Sequence, residues 1–318
     1  MIDNPHKYYD SLKKESLPCP VCDTTKNTVL LNKDRYSMGI QTVICEKCAL
    51  IHVNPRPTEK EMSRFYEENY REFYESIDVP TEEYINNGPF IPRASFVMDV
   101  LKPYFENTNS IIDIGCAEGT LLKLVEQNYS EISTTGLEPS KSFGNYAKEH
   151  LKGEVFVGTY QEFLAQNPAR KFDVLTTTHV LEHILSPKEF LNGIKTFMHY
   201  ESVLYVEVPN ILDDKVKGIG AVHLGHVLSL EPDTLNLLLE TCGFEIIDFF
   251  IGDLPALTPA MGVLCRKSKN TVRPMFPEKN SFKIKREAYL KRVNPDALEV
   301  PELKKPSILQ RIKRKLLN

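Results

Sequence analysis

No stretch of the 318 residues approaches the roughly 20 apolar residues that carry a helix across a bilayer. The opening segment, MIDNPHKYYDSLKKES, holds no apolar run flanked by basic residues. A membrane span and a secretory leader are therefore not expected, and the chain reads as cytoplasmic. Internal repeats and low-complexity tracts are missing as well. So are two nucleotide signatures: GxGxxG for a dinucleotide pyrophosphate and GxxxxGK[ST] for a nucleoside triphosphate. Long runs of one charge are confined to the end of the chain. From Lys283 onward eleven Lys/Arg face four Asp/Glu, a surplus of seven, so within a net charge of −4 the remainder carries about −11. An acidic body argues against a broad nucleic-acid-binding face.

What is present suits a folded protein: 42% hydrophobic and 26% charged residues, enough for one full α/β domain with smaller attachments. Four stretches are discernible. Residues 1–56 hold paired cysteines, 57–108 read as a helical connector or lid rich in Tyr and Glu, 109–267 alternate strand and helix patterns, and 268–318 form a basic, Pro-punctuated tail.

In 109–267, SIIDIGC is a short apolar run ending in glycine, and TLLKLVEQN follows with Leu121, Leu122 and Val125 on one helical face. The alternation continues through STTGLEP, EVFVG, FDVLTTT and SVLYVEVPN, each followed by a helical pattern. Helices of this length between strands imply right-handed crossovers and a mostly parallel sheet with helices on both faces. FEIIDFFIG and AMGVLCRK have no helix between them and read as a hairpin at the sheet edge.

The first chemistry-bearing constellation is DIGCAEG, where the first strand turns into the first helix. Gly115 permits the sharp turn, and Gly119 permits close approach of ligand or sheet. Glu138 ends the second strand, where a carboxylate can accept hydrogen bonds from both hydroxyls of a ribose. Glycine turn and strand-end acid together indicate a bound nucleoside.

DIGCAEG, GLEPS, FDVLTTTHVLEHI and VEVPN, in this order and spacing, resemble motifs of the class I S-adenosylmethionine-dependent methyltransferases over residues 109–267. The resemblance implies a seven-stranded sheet with its last strand antiparallel and S-adenosylmethionine as cofactor. It places Asp113 on the methionine part, Gly115, Cys116 and Gly119 along the cofactor, Glu138 and Pro139 at the ribose, and Thr159 and Tyr160 near the adenine. Ala117 departs from the glycine many members carry there, a small change.

Methylating a hydroxyl requires a positioned base, and histidine suits it. His179 and His183 follow the fourth strand at the carboxyl edge of the sheet; His223 and His226 lie in the loop of HLGHVLSLEPDTL before a later helix. His179 is assigned to structure or cofactor contact, and His183, His226 and His223 are the candidate bases.

CPVC supplies Cys19 and Cys22, and CEKC supplies Cys45 and Cys48; four thiolates can hold a tetrahedral, structural zinc. The 22 residues between the pairs leave room for a hairpin from NTVLLNKDRY to IQTVIC. The remaining cysteines, Cys116, Cys242 and Cys265, read as buried thiols in a reducing compartment. A redox pair is the competing reading of the motifs, and a nucleic-acid-binding ribbon another, although Lys33, Arg35 and Lys47 make no basic run with interleaved aromatics.

More narrowly, the histidine loop and the N-terminal module resemble zinc-containing sugar methyltransferases. There His226 matches a histidine, His223 stands for a tyrosine and Gly225 for a glutamate. Losing that acid favours an oxygen over a carbon acceptor, since forming an enolate needs more acid/base groups. Tyr66, Tyr70 and Tyr74 recur every four residues as core or ligand contacts, with Tyr70 assigned to the cofactor. Arg93 is either solvated or paired with a carboxylate or phosphate.

These readings amount to an O-methyltransferase for a small carbohydrate acceptor, a sugar nucleotide or glycan end. C-methylation of a keto sugar nucleotide, a zinc-ribbon nucleic-acid methyltransferase (disfavoured by the lack of [DN]PP[YF]) and a non-catalytic binding module are the alternatives. In the tail, Ser307 could cap a helix ILQRIKRKLLN whose apolar stripe and basic flank suit peripheral contact with an anionic membrane.

Overall fold

The structure, a computed structural model, describes residues 5–68, 70, 77–252, 254–256 and 259–293. Five short strands open the chain: β1 (Lys14–Glu15), β2 (Asn27–Leu31), β3 (Thr42–Cys45), β4 (Ile51–Val53) and β5 (Arg56–Pro57). β2 and β3 form the hairpin expected between the cysteine pairs, and β4 extends it as an antiparallel meander, while β1 pairs with β5. TVIC and IHV are buried along their whole length because the meander is covered on both faces. Val53 and Cys45 join one core; Ile44 and Ile51 join another with Leu30 and Leu31. That second core is closed by Tyr289, Leu290 and Val293 of the helix Ser281–Val293, which lies within the basic C-terminal segment. The Ser307 helix and Tyr74 fall outside the described residues.

The alternating region forms β6 (Ser110–Ile114), β7 (Ser133–Glu138), β8 (Glu154–Val157), β9 (Phe172–Thr178), β10 (Met198–Pro209), β11 (Leu228–Ser229), β12 (Phe244–Gly252) and β13 (Ala260–Lys267). Seven of these make one sheet in the order β12-β13-β10-β9-β6-β7-β8. β6 to β10 run parallel, and β13 runs against both of its neighbours, β10 and β12. This is the seven-stranded, mostly parallel sheet expected from the sequence. β12 and β13 are the expected hairpin, with β13 folded inward so that β12 is the edge strand.

Side chains alternate across the sheet, as a period of two requires. Ile112, Leu204 and Val206 enter the core shared with Phe163, Phe190 and Leu238; Ile111, Val203 and Tyr205 enter the opposite one with Val97, Leu101, Leu122 and Val125. Helices Tyr160–Gln166, Pro187–Lys195 and Pro232–Thr241 therefore cover one face, and Phe90–Phe105 with Thr120–Asn128 the other.

β11 belongs elsewhere. Its two residues pair with β4, Leu228 with His52 and Ser229 with Ile51, making the meander a four-stranded sheet, β11-β4-β3-β2. The late histidine loop is thereby fastened to the cysteine module. Among the described residues no helix is long and apolar enough to cross a membrane.

Candidate functional site

The carboxyl ends of β6 to β9 open into a cavity of about 950 Å³, roofed by Tyr66 and Tyr70 and by Tyr84 and Phe90 from the helices that precede the sheet. The glycine turn forms its floor. Gly115 has φ +82°, and a Cβ there would stand 2.3 Å from Cγ2 of Val180, so both backbone conformation and space demand glycine. Gly119, φ +84°, precedes the helix Thr120–Asn128, but its bare α-carbon faces Leu151 and Ala147. It serves helix packing and does not line the cavity, whereas Gly115, Cys116, Pro139, Thr159 and Tyr160 do.

Glu138 is buried and lines the same floor. Its Oε2 accepts from the amide of Ala117 at 3.0 Å and its Oε1 from that of Ser140 at 2.8 Å. Ala117 is itself left-handed, φ +48°, so the strand-end acid also braces the turn opposite it. Asp113 is buried and accepts from Thr176 Oγ1 at 2.7 Å. Burial pushes its pKa up to about 7, with the Glu118 and Glu138 carboxylates adding to the rise against the pull of Thr176. Thr159 caps the helix Tyr160–Gln166 in a reciprocal box with Glu162, fixing Tyr160 edge-on to Phe190.

Beyond β9 the chain turns sharply through His179, whose φ of +54° is unusual for a side chain of this size. Its ring bridges two buried acids, Nδ1 lying 3.3 Å from Glu182 Oε1 and Nε2 3.2 Å from Glu207 Oε1. Burial alone would lower its pKa, but the two carboxylates outweigh it and hold the ring above its ordinary value. Glu207 also accepts from Tyr205 Oη at 2.9 Å and lies 3.4 Å from Arg93 Nε. Arg93 is thus paired with a carboxylate of the protein rather than solvated.

His183 and His226 both line the cavity, with ring centroids 4.9 Å apart. Nδ1 of His183 lies 2.8 Å from the Gly225 carbonyl and 3.0 Å from Tyr66 Oη, which also donates to Gly225 at 2.7 Å. Burial, reinforced by the neighbouring histidines, holds His226 well below its ordinary pKa and so neutral. His223 does not reach the cavity; it packs against His226 at 3.9 Å. Gly225 has no room for the acid found there in the sugar methyltransferases, because a Cβ would meet the Tyr70 ring at 2.9 Å. Tyr66 and Tyr70 pack together at 5.0 Å and lie edge-on to His183. Glu182, Glu207 and the Tyr66–His183 contact were not singled out from sequence; the acid between two histidines in HVLEHI was the available signal.

A family model described as a methyltransferase domain matches residues 89–248. The chain belongs to that family. Part of the chain is also similar to curated relatives in poppies. (S)-tetrahydroprotoberberine N-methyltransferase of Eschscholzia californica is 23% identical over 101 residues, covering 31% of this chain and 29% of the relative. "Probable (S)-tetrahydroprotoberberine N-methyltransferase 2" of Papaver bracteatum is 30% identical over 118 residues, covering 36% and 33%. The aligned part spans about a third of the length of these relatives. Among solved structures, the plantazolicin methyltransferase BpumL in complex with a pentazolic desmethylPZN analog and SAH superposes with a TM-score of 0.51 at 14% identity, over 65% of this chain and 95% of that one. At that identity the likeness shows the fold.

Residues 89–248 therefore form an S-adenosylmethionine-dependent methyltransferase domain, with the cavity at its strand ends. Away from that cavity, the Sγ atoms of Cys19, Cys22, Cys45 and Cys48 all lie within 4.8 Å of one another. Cys19–Cys48 and Cys22–Cys45 are each 3.5 Å apart, against about 3.8 Å for thiolates at 2.3 Å on a tetrahedral ion. The four side chains fit a zinc ion with little movement.

Proposed function

We propose that the protein transfers a methyl group from S-adenosylmethionine to a hydroxyl of a small carbohydrate acceptor, with His183 or His226 receiving the proton. The observation that carries this reading is the order of groups along one cavity. Glu138 ends β7, the glycine turn and Asp113 end β6, and the two imidazoles follow β9, on the far side of β6. A cofactor with its ribose at Glu138 and its amino acid part at Asp113 would direct its sulfonium towards the histidines. Cys116 and Pro139 would flank it, Thr159 and Tyr160 would lie near the adenine, and His179 would support the turn beneath. The hydroxyl oxygen attacks the methyl carbon as the carbon–sulfur bond breaks, S-adenosylhomocysteine leaves, and the neutral imidazole takes the proton. His223 supports His226 from behind, and Tyr70 closes the roof.

In the same reading Cys19, Cys22, Cys45 and Cys48 hold a structural zinc that supplies folding energy to residues 1–56. Residues 57–108 act as lid and connector over the 109–267 domain, and the segment after 267 anchors and extends the module. The reading also makes the protein cytoplasmic and disfavours a nucleic-acid partner, supported by the acidic body and the free cysteines. The poppy relatives are named for N-methylation, so amines form the second acceptor class.

The test is a methyl-transfer screen with labelled S-adenosylmethionine across sugar nucleotides, keto sugar nucleotides and amines, using the wild type and His226→Ala. Turnover of a hydroxylated sugar nucleotide, lost in the variant while cofactor affinity persists, is the expected result. Turnover of amines or keto sugars alone would overturn the oxygen assignment.

A further inference from the structure

One buried group of the cavity is used neither by cofactor binding nor by acid–base work. Glu182 is 1% exposed, and neither of its carboxylate oxygens accepts a hydrogen bond among the described residues. A buried carboxylate is costly while its oxygens have no donor or cation in bonding geometry. The nearest ring, His179, is shared with Glu207, and its Nδ1, 3.3 Å from Oε1, does not point along a hydrogen bond. Two further nitrogens face the same oxygen at longer range: Nε2 of His183 at 3.8 Å and Nε2 of His226 at 4.0 Å.

Those distances are too long for hydrogen bonds. The His183 ring is also oriented for a different task. Its Nδ1 meets the Gly225 carbonyl and Tyr66 Oη, so its Nε2 edge is the one turned towards the carboxylate. One ligand atom from each of Glu182, His183 and His226 lies within 4.8 Å of the others. Ligands at about 2.1 Å on one ion are about 3.0 to 3.4 Å apart, so small side-chain rotations would close the set.

We infer that Glu182, His183 and His226 bind a divalent metal ion at the acceptor end of the cavity, separate from the four-cysteine cluster. Two imidazoles and one carboxylate suit manganese, iron(II) or zinc and leave coordination positions open. The ligands come from fixed elements: Glu182 and His183 from the turn Leu181–His183, and His226 from the loop fastened by β11. The open positions face the cavity, so the acceptor class that fits has two adjacent oxygens, such as a vicinal diol. This acceptor assignment rests on the hydroxyl-methylation reading; the ion does not. With the ion in place the imidazoles are its ligands instead of the base proposed above, its charge lowers the pKa of the hydroxyl it holds, and the displaced proton goes to solvent.

The experiment uses the full chain loaded with a single equivalent of zinc, which the thiolate cluster takes, and free Mn²⁺ as probe, followed by the electron paramagnetic resonance of the aqueous ion. Manganese prefers nitrogen and oxygen to the thiolate cluster. Wild type should take up one Mn²⁺ per chain below about 1 mM, and Glu182→Gln and His226→Asn should each bind it about tenfold more weakly or worse. S-adenosylhomocysteine affinity, measured on the same samples, reports that each variant is folded. No uptake by wild type, or equal uptake by wild type and both folded variants, overturns the inference. Mn²⁺ bound as expected without turnover of any hydroxylated acceptor would support the ion and count against the acceptor reading alone.

Discussion

Cofactor binding should depend on pH through Asp113. Its carboxyl is 3% exposed, with one hydrogen bond among the described residues, from Thr176, and burial together with Glu118 and Glu138 raises its pKa to about 7. The amino group of the cofactor's methionine part is a cation, and only the ionised carboxylate pairs with it. Binding at acid pH must therefore first expel a proton that the unliganded site retains. The sign follows: affinity is full above the raised pKa and falls as pH drops through it. For a group titrating near 7, the ionised fraction falls from about nine-tenths at pH 8 to about one-tenth at pH 6, a roughly tenfold loss of affinity or about 1.4 kcal/mol. Calorimetry with S-adenosylhomocysteine, repeated in buffers of different ionisation enthalpy, should register close to one proton released at pH 6 and almost none at pH 8. Asp113→Asn should bind more weakly at pH 8 and lose the slope. Equal wild-type affinity at pH 6 and 8, or the same slope in the variant, would refute the reasoning.

Gly115→Ala should abolish measurable cofactor binding and lower the melting temperature, because the left-handed φ alone costs about 1 to 2 kcal/mol and the new Cβ would overlap Val180. Glu138→Gln keeps the shape but turns an amide NH₂ towards one of two backbone donors, at Ala117 or Ser140. Its affinity for S-adenosylhomocysteine should fall by about tenfold or more, the scale of a hydrogen bond to a charged group. Tyr66→Phe removes the hydroxyl shared by Gly225 and His183; kcat should fall about threefold to tenfold, with the cofactor affinity unchanged in calorimetry. Chelation of a zinc-loaded sample should release one zinc per chain and, in hydrogen exchange, deprotect β2, β3, β4 and β11 together, leaving β6 and β7 protected.

Much of the sheet was legible because its determinants are local. Strand runs such as SIIDI end in turn residues, and the stripe Leu121, Leu122, Val125 has one helical face to bury. The site was legible in part for the same reason: Gly115 and Glu138 announce themselves by position within their own strand–turn–helix units. What escaped depends on pairings distant in sequence. Nothing near Glu207 indicates that it would share His179 and Arg93. Glu138 is recognisable as a strand-end acid, but its bond to Ala117 follows from the register of β6 against β7. Gly225 looks in the sequence like a missing acid; in three dimensions its place is filled by the Tyr70 ring, from a segment more than a hundred residues earlier.

The two-residue strand β11 explains why a cysteine module and a methyl-transfer fold share one chain. A pair of residues has no intrinsic tendency to form a strand, so β11 exists only because β4 offers an edge to it. β4 in turn begins three positions after Cys48, inside the meander whose hairpin joins the cysteine pairs. His226 precedes β11 by two positions, and the backbone bond from Val53 to Val227 tightens the same join. Tyr66, on the helix that follows β5, meets His183 and Gly225 from the other side. The histidine pair is therefore held against a sheet that the proposed zinc would stabilise. Loss of the metal there would loosen the acceptor end of the cavity first, while the glycine turn, held by Leu137 and Glu138 within the main sheet, would keep its shape.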